Sequence, residues 1–359
     1  MKKSTYNIAV LPGDGIGPEV IAEAVKVLKS VEESHQVTFN LQYADLGALA
    51  IDKTGHALPE ETLKICKEAD AVLLGAIGDP RYDDPSLAVR PEQGLLAIRK
   101  ALGLYCNVRP VKAYNALLGL SPLKESYIKG ADLVIYRELT GGIYFGEQGR
   151  KEDGNYAYDI CGYHKNEIDR ILRLAFQAAR LRRNKVTLVD KANVLESSRL
   201  WREVFNEVKT EFKDVETNYV LVDNAAMQMI LNPVEFDVIV TSNIFGDIIS
   251  DEASVICGSL GLLPSASIGE EHGLFEPVHG SYPSAAGKDI ANPLATILSA
   301  AMMLRYLGMS HAASDVEAAV ATCMERYCLT EDLCLDKSTA KACSVVGDAV
   351  VDALLIPTV

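Results

Sequence analysis

Short β-rich runs alternate with helical periods along most of this chain, and nothing else in the sequence restricts its fold as strongly. The strand-like runs are YNIAVL from Tyr6, DAVLLGA from Asp70, CNVRPVKAY from Cys106, ADLVIYREL from Ala131, KVTLVD from Lys185, NYVLVD from Asn218 and FDVIVTS from Phe236. Helical periods cover Pro18–Glu33, Pro91–Ala101, Glu167–Arg183, Glu196–Phe212 and Pro293–Leu307, the last preceded by Asn292 as an N-cap with Pro293 in the first turn. Strands interleaved with helices predict an α/β fold with a largely parallel sheet.

The 359 residues suffice for two ordinary domains. Hydrophobic residues at 48% and charged residues at 23% fit a globular chain, and no apolar run is long enough to span a membrane. The start passes from Lys2 and Lys3 straight into a strand-like run, without a secretory h-region. A formal charge of −14 argues against nucleic-acid and acidic-membrane partners. An anionic substrate would therefore need locally gathered arginine or lysine. The eight cysteines form no C-x-x-C pair, so they read as reduced core thiols of a cytoplasmic protein and not as a zinc site.

LPGDGIGPEV, Leu11–Val20, has the strand–turn–helix context of a dinucleotide fingerprint but the wrong spacing. Gly13, Gly15 and Gly17 give G-x-G-x-G, and Pro18 follows. GNYAYDICGYH, Gly154–His164, reads as an extended ribbon, either an internal hairpin or a subunit-pairing arm. RLRRNK, Arg180–Lys185, reads as a solvated helix C-terminus whose cations complement the macrodipole.

Ligands of open α/β sheets bind beyond the carboxyl ends of strands. Lys191, Asp223 and Asp247 stand at such ends, and Asp251 follows Asp247 by one helical turn. Two carboxylates on one face repel and need compensation. They read either as an acidic first turn favoured by the helix dipole or as oxygen ligands for Mg²⁺ or Mn²⁺. In RPEQGLLAIRK, Glu92, Leu95 and Arg99 share one helix face. Arg109 and Arg137 lie inside strand-like runs, where burial demands a partner. Each arginine alone suggests a structural ion pair; three together suggest a di-acid site with bidentate contacts. Tyr144 sits in the glycine-flanked turn TGGIYFGEQ, and PVHGSYPSAAGKDIANP is a long loop before a helix, a setting suited to phosphates.

Taken together, these stretches resemble the β-decarboxylating dehydrogenase family nearly end to end. NIFGDIISDEASVICGSLGL is similar to the signature of the whole superfamily, and RPEQGLLAIRK, DKANVL, FEPVHGS and GKDIANP extend the match. The resemblance implies an α/β, two-domain isocitrate/isopropylmalate dehydrogenase-like fold, not a Rossmann fold, with a dimerisation arm. One domain would hold residues 1–104 and 258–359 and most of the cofactor site. The other, 105–257, would hold the arm, the dimer interface and the metal and catalytic residues, with the cleft between the two. The implied reaction is oxidative decarboxylation of 3-isopropylmalate with NAD. Arg99, Arg109 and Arg137 would clamp carboxylates, and Leu95 with the stem of Glu92 would face the alkyl group. Asp223, Asp247 and Asp251 would hold Mg²⁺ or Mn²⁺. Lys191 would be the general base and Tyr144 would protonate the enol. Lys191 and Asp223 would reach into the neighbouring site of a homodimer. Cofactor contacts are implied for Ile16, Gly78, Glu92, Asn193, His279, Gly280, Ser281, Ser284, Ala285, Ala291 and Asn292.

The family's NAD users place an aspartate where Ser284 stands, and its NADP users place lysine and tyrosine at the positions of Ser284 and Ala285. With no cation at that pair to meet a 2′-phosphate, NAD is the expected cofactor. Asp79 stands where glycine is usual. The resemblance also admits enzymes acting on tartrate, malate or homoisocitrate, and non-catalytic ligand-sensing subunits. Leu95 speaks against a third carboxylate. The presence of Tyr144, Lys191 and all three aspartates speaks against a sensing subunit.

Overall fold

A computed structural model describes residues 3–84 and 86–355. The chain divides into two compact units, one formed by Met1–Leu104 with Gly258–Val359 and the other by Tyr105–Cys257. The first unit opens with β1 (Thr5–Gly13), α1 (Gly17–His35), β2 (Thr38–Tyr43), α2 (Ala48–Thr54), α3 (Glu60–Glu68), β3 (Ala71–Ala76) and α4 (Pro91–Ala101). The second unit follows with β4 (Cys106–Lys112), α5 (Glu125–Ile128), β5 (Asp132–Glu138), β6 (Gln148–Lys151), β7 (Tyr156–Asp159), α6 (Lys165–Arg180), β8 (Lys185–Asp190), α7 (Glu196–Val208), β9 (Glu216–Leu221), α8 (Val222–Leu231), β10 (Val238–Thr241) and α9 (Asn243–Ser254). The chain then returns to the first unit as β11 (Pro264–Ile268), β12 (Gly273–Pro277), α10 (Leu294–Tyr306), α11 (Ser310–Glu325) and α12 (Cys343–Leu354).

In the first unit the strands run β2-β1-β3-β12-β11, with only the β11–β12 pair antiparallel. In the second they run β4-β5-β10-β8-β9, with only β4–β5 antiparallel. The central strands β3 and β10 are buried at every position, as expected of parallel strands covered on both faces. Helix α10 is apolar around most of its circumference and buried from Leu294 to Leu304 except at half-buried Met302, so it is a core helix and not a surface one. Phe176, Phe205, Trp201 and Val240 belong to the core of the second unit, while Leu11, Leu74, Ile98 and Leu274 belong to that of the first.

The ribbon supplies one strand, β7, of a hairpin. β6 and β7 pair antiparallel around the turn Glu152–Gly154, and Tyr156 stacks with Tyr158 at 6.2 Å between ring centroids. RLRRNK fills its expected solvated role in part, since exposed Arg180 stands in the last turn of α6 and Leu181, Arg183 and Asn184 are exposed. Helix α6 ends at Arg180, and the following arginines reach back into the unit. Arg182 bridges Asp237 at 2.7 Å and Asp132 at 2.6 Å, and Arg183 donates to the Asp132 carbonyl at 2.8 Å. Asp237 is 1% exposed, so the cluster neutralises a buried carboxylate where β5, β8 and β10 begin. Among the described residues no helix is long and apolar enough to cross a membrane.

Candidate active site

In the second unit, α9 presents Asn243, Gly246, Asp247, Ser250 and Asp251 at i, i+3, i+4, i+7 and i+8, a single helix face. That face meets two strand-borne arginines. Arg109 of β4 donates to Asp251 Oδ1 at 2.8 Å and to Ser250 Oγ at 2.7 Å, while its Nε donates to Asn107 at 2.7 Å. Arg137 of β5 pairs with Asp247 and spends Nε and Nη2 on Asn243 Oδ1, at 3.2 and 2.9 Å. The stem of Arg137 fits because residue 246 is glycine: a Cβ there would lie 2.6 Å from Arg137 Cγ. The compensation demanded by the paired aspartates thus comes from Arg109 and Arg137. Helix α9 has no acidic residue in its first turn, which removes the dipole explanation for these carboxylates.

Tyr144 closes the same cluster. The short helical turn Gly142–Tyr144 directs its hydroxyl to Asp247 Oδ2, to which it donates at 2.9 Å, and Arg137 lies 5.8 Å from its ring centroid. Burial, and then the hydrogen bond to Asp247, raise the phenol above its ordinary value, so the hydroxyl keeps its proton at neutral pH. The turn is anchored from below by Glu138, whose buried carboxylate accepts from Thr140 N at 2.9 Å and Gly141 N at 2.8 Å.

Lys191 and Asp223 form a separate pair. Lys191 immediately follows β8, Asp223 lies in the first turn of α8, and their side chains meet at 2.7 Å. The Lys191 ammonium holds the Asp223 carboxyl below the usual carboxylate range. Asn193 is exposed in the turn after Lys191. Among the described residues no three His, Cys, Asp or Glu side chains converge as a metal-binding group. A single chain supplies Asp247 and Asp251 together, and Asp223 is not gathered with them.

The first unit holds the remaining candidates. On α4, Glu92 is exposed, Leu95 is half-buried against the core, and Arg99 donates to Glu276 of β12 at 2.6 Å. Gly78 brings the loops together: a Cβ there would lie 3.4 Å from Ser281 Oγ and 3.7 Å from Glu92 Oε1. A cavity of about 480 Å³ is lined by Ile16, His279, Gly280, Ala291 and Asn292, and also by Glu331, Asp332 and Lys337. Burial pushes the His279 imidazole below its ordinary value, so the ring is neutral at pH 7. Asn292 stands one residue before Pro293, the N-cap of α10, and not at the cap itself: its Oδ1 accepts from Leu294 N at 3.0 Å in an Asx turn, and Nδ2 donates to Asp332 at 3.0 Å. Ser284 is exposed. Ala285 is buried with Ile16, Val20, Ala291 and Cys343 in a small apolar cluster, so its side chain supports the loop from beneath.

The glycine-rich turn does not offer its amides to an anion. The Ile16 N–H donates to the Ser281 carbonyl at 2.8 Å, and Gly17 N–H donates to the Asp14 carbonyl at 2.9 Å. Asp14 is an anchor that pattern reading did not single out. Its buried carboxylate accepts from Ala48, Leu49 and Gly78 backbone N–H groups at 3.0–3.1 Å. Asn243 and Ser250 were also not singled out, although both occupy the α9 face already marked by Asp247 and Asp251.

A family profile described as isocitrate/isopropylmalate dehydrogenase matches residues 7–350. The chain is 52% identical over 358 residues to 3-isopropylmalate dehydrogenase of Carboxydothermus hydrogenoformans, covering 98% of this chain and 96% of that protein. It is 55% identical to the enzyme of the same name from Bacillus licheniformis, covering 97% and 95% of the two chains. Among solved structures, isocitrate dehydrogenase from Methylococcus capsulatus superposes with a TM-score of 0.85 at 36% identity, covering 97% of this chain and 99% of that one. A β-decarboxylating dehydrogenase from Thermococcus kodakarensis gives 0.81 at 37% identity, covering 97% and 96%.

Proposed function

The chain belongs to the isocitrate/isopropylmalate dehydrogenase family, and from that premise we propose that it converts 3-isopropylmalate to 4-methyl-2-oxopentanoate and CO₂ with reduction of NAD, in leucine biosynthesis. The observation that carries the substrate is the face of α4, where half-buried Leu95 lies between exposed Glu92 and ion-paired Arg99. An apolar side chain at that point suits an alkyl substituent and offers no partner to a third carboxylate.

The donor sets suit the proposed groups. Asp247 and Asp251 offer hard oxygen ligands, and Asp223 of a second copy would complete the set for Mg²⁺ or Mn²⁺. The cavity beside Ile16, His279 and Ala291 suits the adenosine end of NAD. When bound, NAD supplies the hydride acceptor, and the divalent cation supplies Lewis-acid stabilisation of charge on the substrate oxygens. Arg109 and Arg137 orient the substrate carboxylates through planar N–H forks. Lys191, in its neutral amine form, accepts the hydroxyl proton, and Tyr144 donates a proton to the enol left when CO₂ departs. A homodimer is supported by exposed apolar residues on two adjacent helices, Met227, Ile230 and Leu231 of α8 and Ile248 of α9.

Purified protein with Mg²⁺ and NAD is expected to form NADH from 3-isopropylmalate at a kcat/KM at least about 10²-fold above that for isocitrate, malate or tartrate. A preference for any of the other three acids would overturn the assignment. Tyr144→Phe is expected to slow protonation of the enol, read as formation of 4-methyl-2-oxopentanoate, by roughly 10²-fold while leaving single-turnover NADH formation nearly intact. Equal losses in both steps would remove Tyr144 from the protonation step.

A further inference from the structure

Asn243 opens α9 and is 1% exposed, yet every polar group of its side chain is used. Oδ1 accepts from Nε and Nη2 of Arg137 at 3.2 and 2.9 Å. Nδ2 donates to the Gly141 carbonyl at 3.1 Å. Its backbone N–H donates to the Tyr163 hydroxyl at 2.9 Å. The orientation of the carboxamide is settled by these partners, because a guanidinium only donates and a carbonyl only accepts. A carboxylate could serve Arg137 but would face the Gly141 carbonyl without a proton to give.

Gly141 is the residue from which the turn carrying Tyr144 departs, and Arg137 and Tyr144 converge on opposite oxygens of Asp247. One amide therefore sits between the two side chains whose aims must agree. We propose that Asn243 is a positioning residue that fixes the guanidinium plane of Arg137 and the turn of Tyr144 in a common register, while touching no reacting atom itself. The inference rests on the roles proposed above for Arg137 and Tyr144.

The test is a pair of double-mutant cycles on the full-length protein, read as kcat and KM for 3-isopropylmalate. Asn243→Ala alone is expected to lower kcat by about 10²-fold, the scale of a misplacement near 1 Å. It is also expected to raise KM by about 10-fold through the loosened Arg137 fork. Placed on Tyr144→Phe, the same change should cost less than about 3-fold in kcat, with the KM effect intact. Placed on Arg137→Lys, the KM effect should shrink while the kcat effect remains. Losses of equal size in all backgrounds would overturn the inference and leave Asn243 a general stabiliser of α9. Wild-type kinetics in Tyr144→Phe and Arg137→Lys alone would overturn the roles proposed for those residues, and this inference with them. Thermal melts accompany each variant, and Asn243→Ser carries the same cycles should the alanine variant not fold.

Discussion

Exchanging Lys191 for methionine is expected to lower kcat on 3-isopropylmalate by about 10³-fold, within the range of general-base losses. Methionine has a similar length and apolar stem, so packing near the end of β8 is preserved. The backbone N–H of residue 191 still donates to Ser198 Oγ, at 3.0 Å in the parent. The lost ion pair involves Asp223, whose side chain is 65% exposed, so its removal affects stability little. The melting temperature should therefore stay within a few degrees, and NAD binding measured by calorimetry should be unchanged. Turnover within about 5-fold of the parent would exclude Lys191 as the base.

The second large effect belongs to the turn between β1 and α1. Gly15 has φ of 59°, and a Cβ there would lie 2.0 Å from the Ser281 carbonyl oxygen. Both atoms in conflict are fixed by backbone, so no rotamer change relieves the clash. The Ile16–Ser281 hydrogen bond, 2.8 Å long, would be forced apart. Gly15→Ala is expected to cost about 3–5 kcal/mol of stability from strain and a lost buried hydrogen bond. It should also raise KM for NAD by at least about 10-fold, because the loop after β12 moves with Ser281. Gly280→Ala is the matched control: its added Cβ meets nothing within 4 Å, and its urea midpoint should match the parent. Equal midpoints for the two variants would refute the close approach as a structural constraint.

The parts of the fold legible in sequence were those with a strong local period. The runs at Ala71–Ala76 and Val238–Thr241 carry no charge and are dominated by Val, Leu, Ile and Ala, and both are central strands. Strands β2, β11 and β12 escape such reading for physical reasons. TFNLQY mixes polar and apolar residues, PSASI is small and serine-rich, and GLFEP carries a glycine and a proline. Their strand character comes from sheet partners, not from propensity. The charge of RLRRNK marks the exposed helix end at Arg180, but charge density alone does not reveal the partner of Arg182, Asp237, fifty-odd residues downstream. At the site, Asp247 and Asp251 announce themselves by helical spacing. Asn243 shares that spacing, but a neutral amide there does not announce an arginine partner 106 residues away, and Asp14 serves backbone amides and leaves no periodic trace. Pairings such as Arg109 with Asp251, 142 residues apart, are fixed only by topology.

The ion pairs Arg109–Asp251 and Arg137–Asp247 carry a thermodynamic consequence. Within this cluster each cationic fork is already satisfied by a carboxylate, and each carboxylate by a fork. On the proposed reading, a di-acid taking the arginines releases the aspartates, and a divalent cation taking the aspartates releases the arginines. Each ligand thus prepares the other's partners by an exchange that keeps the local charge balanced. The affinities of acid and cation are then linked in the reciprocal sense, so that either one, at saturation, tightens the other by the same factor.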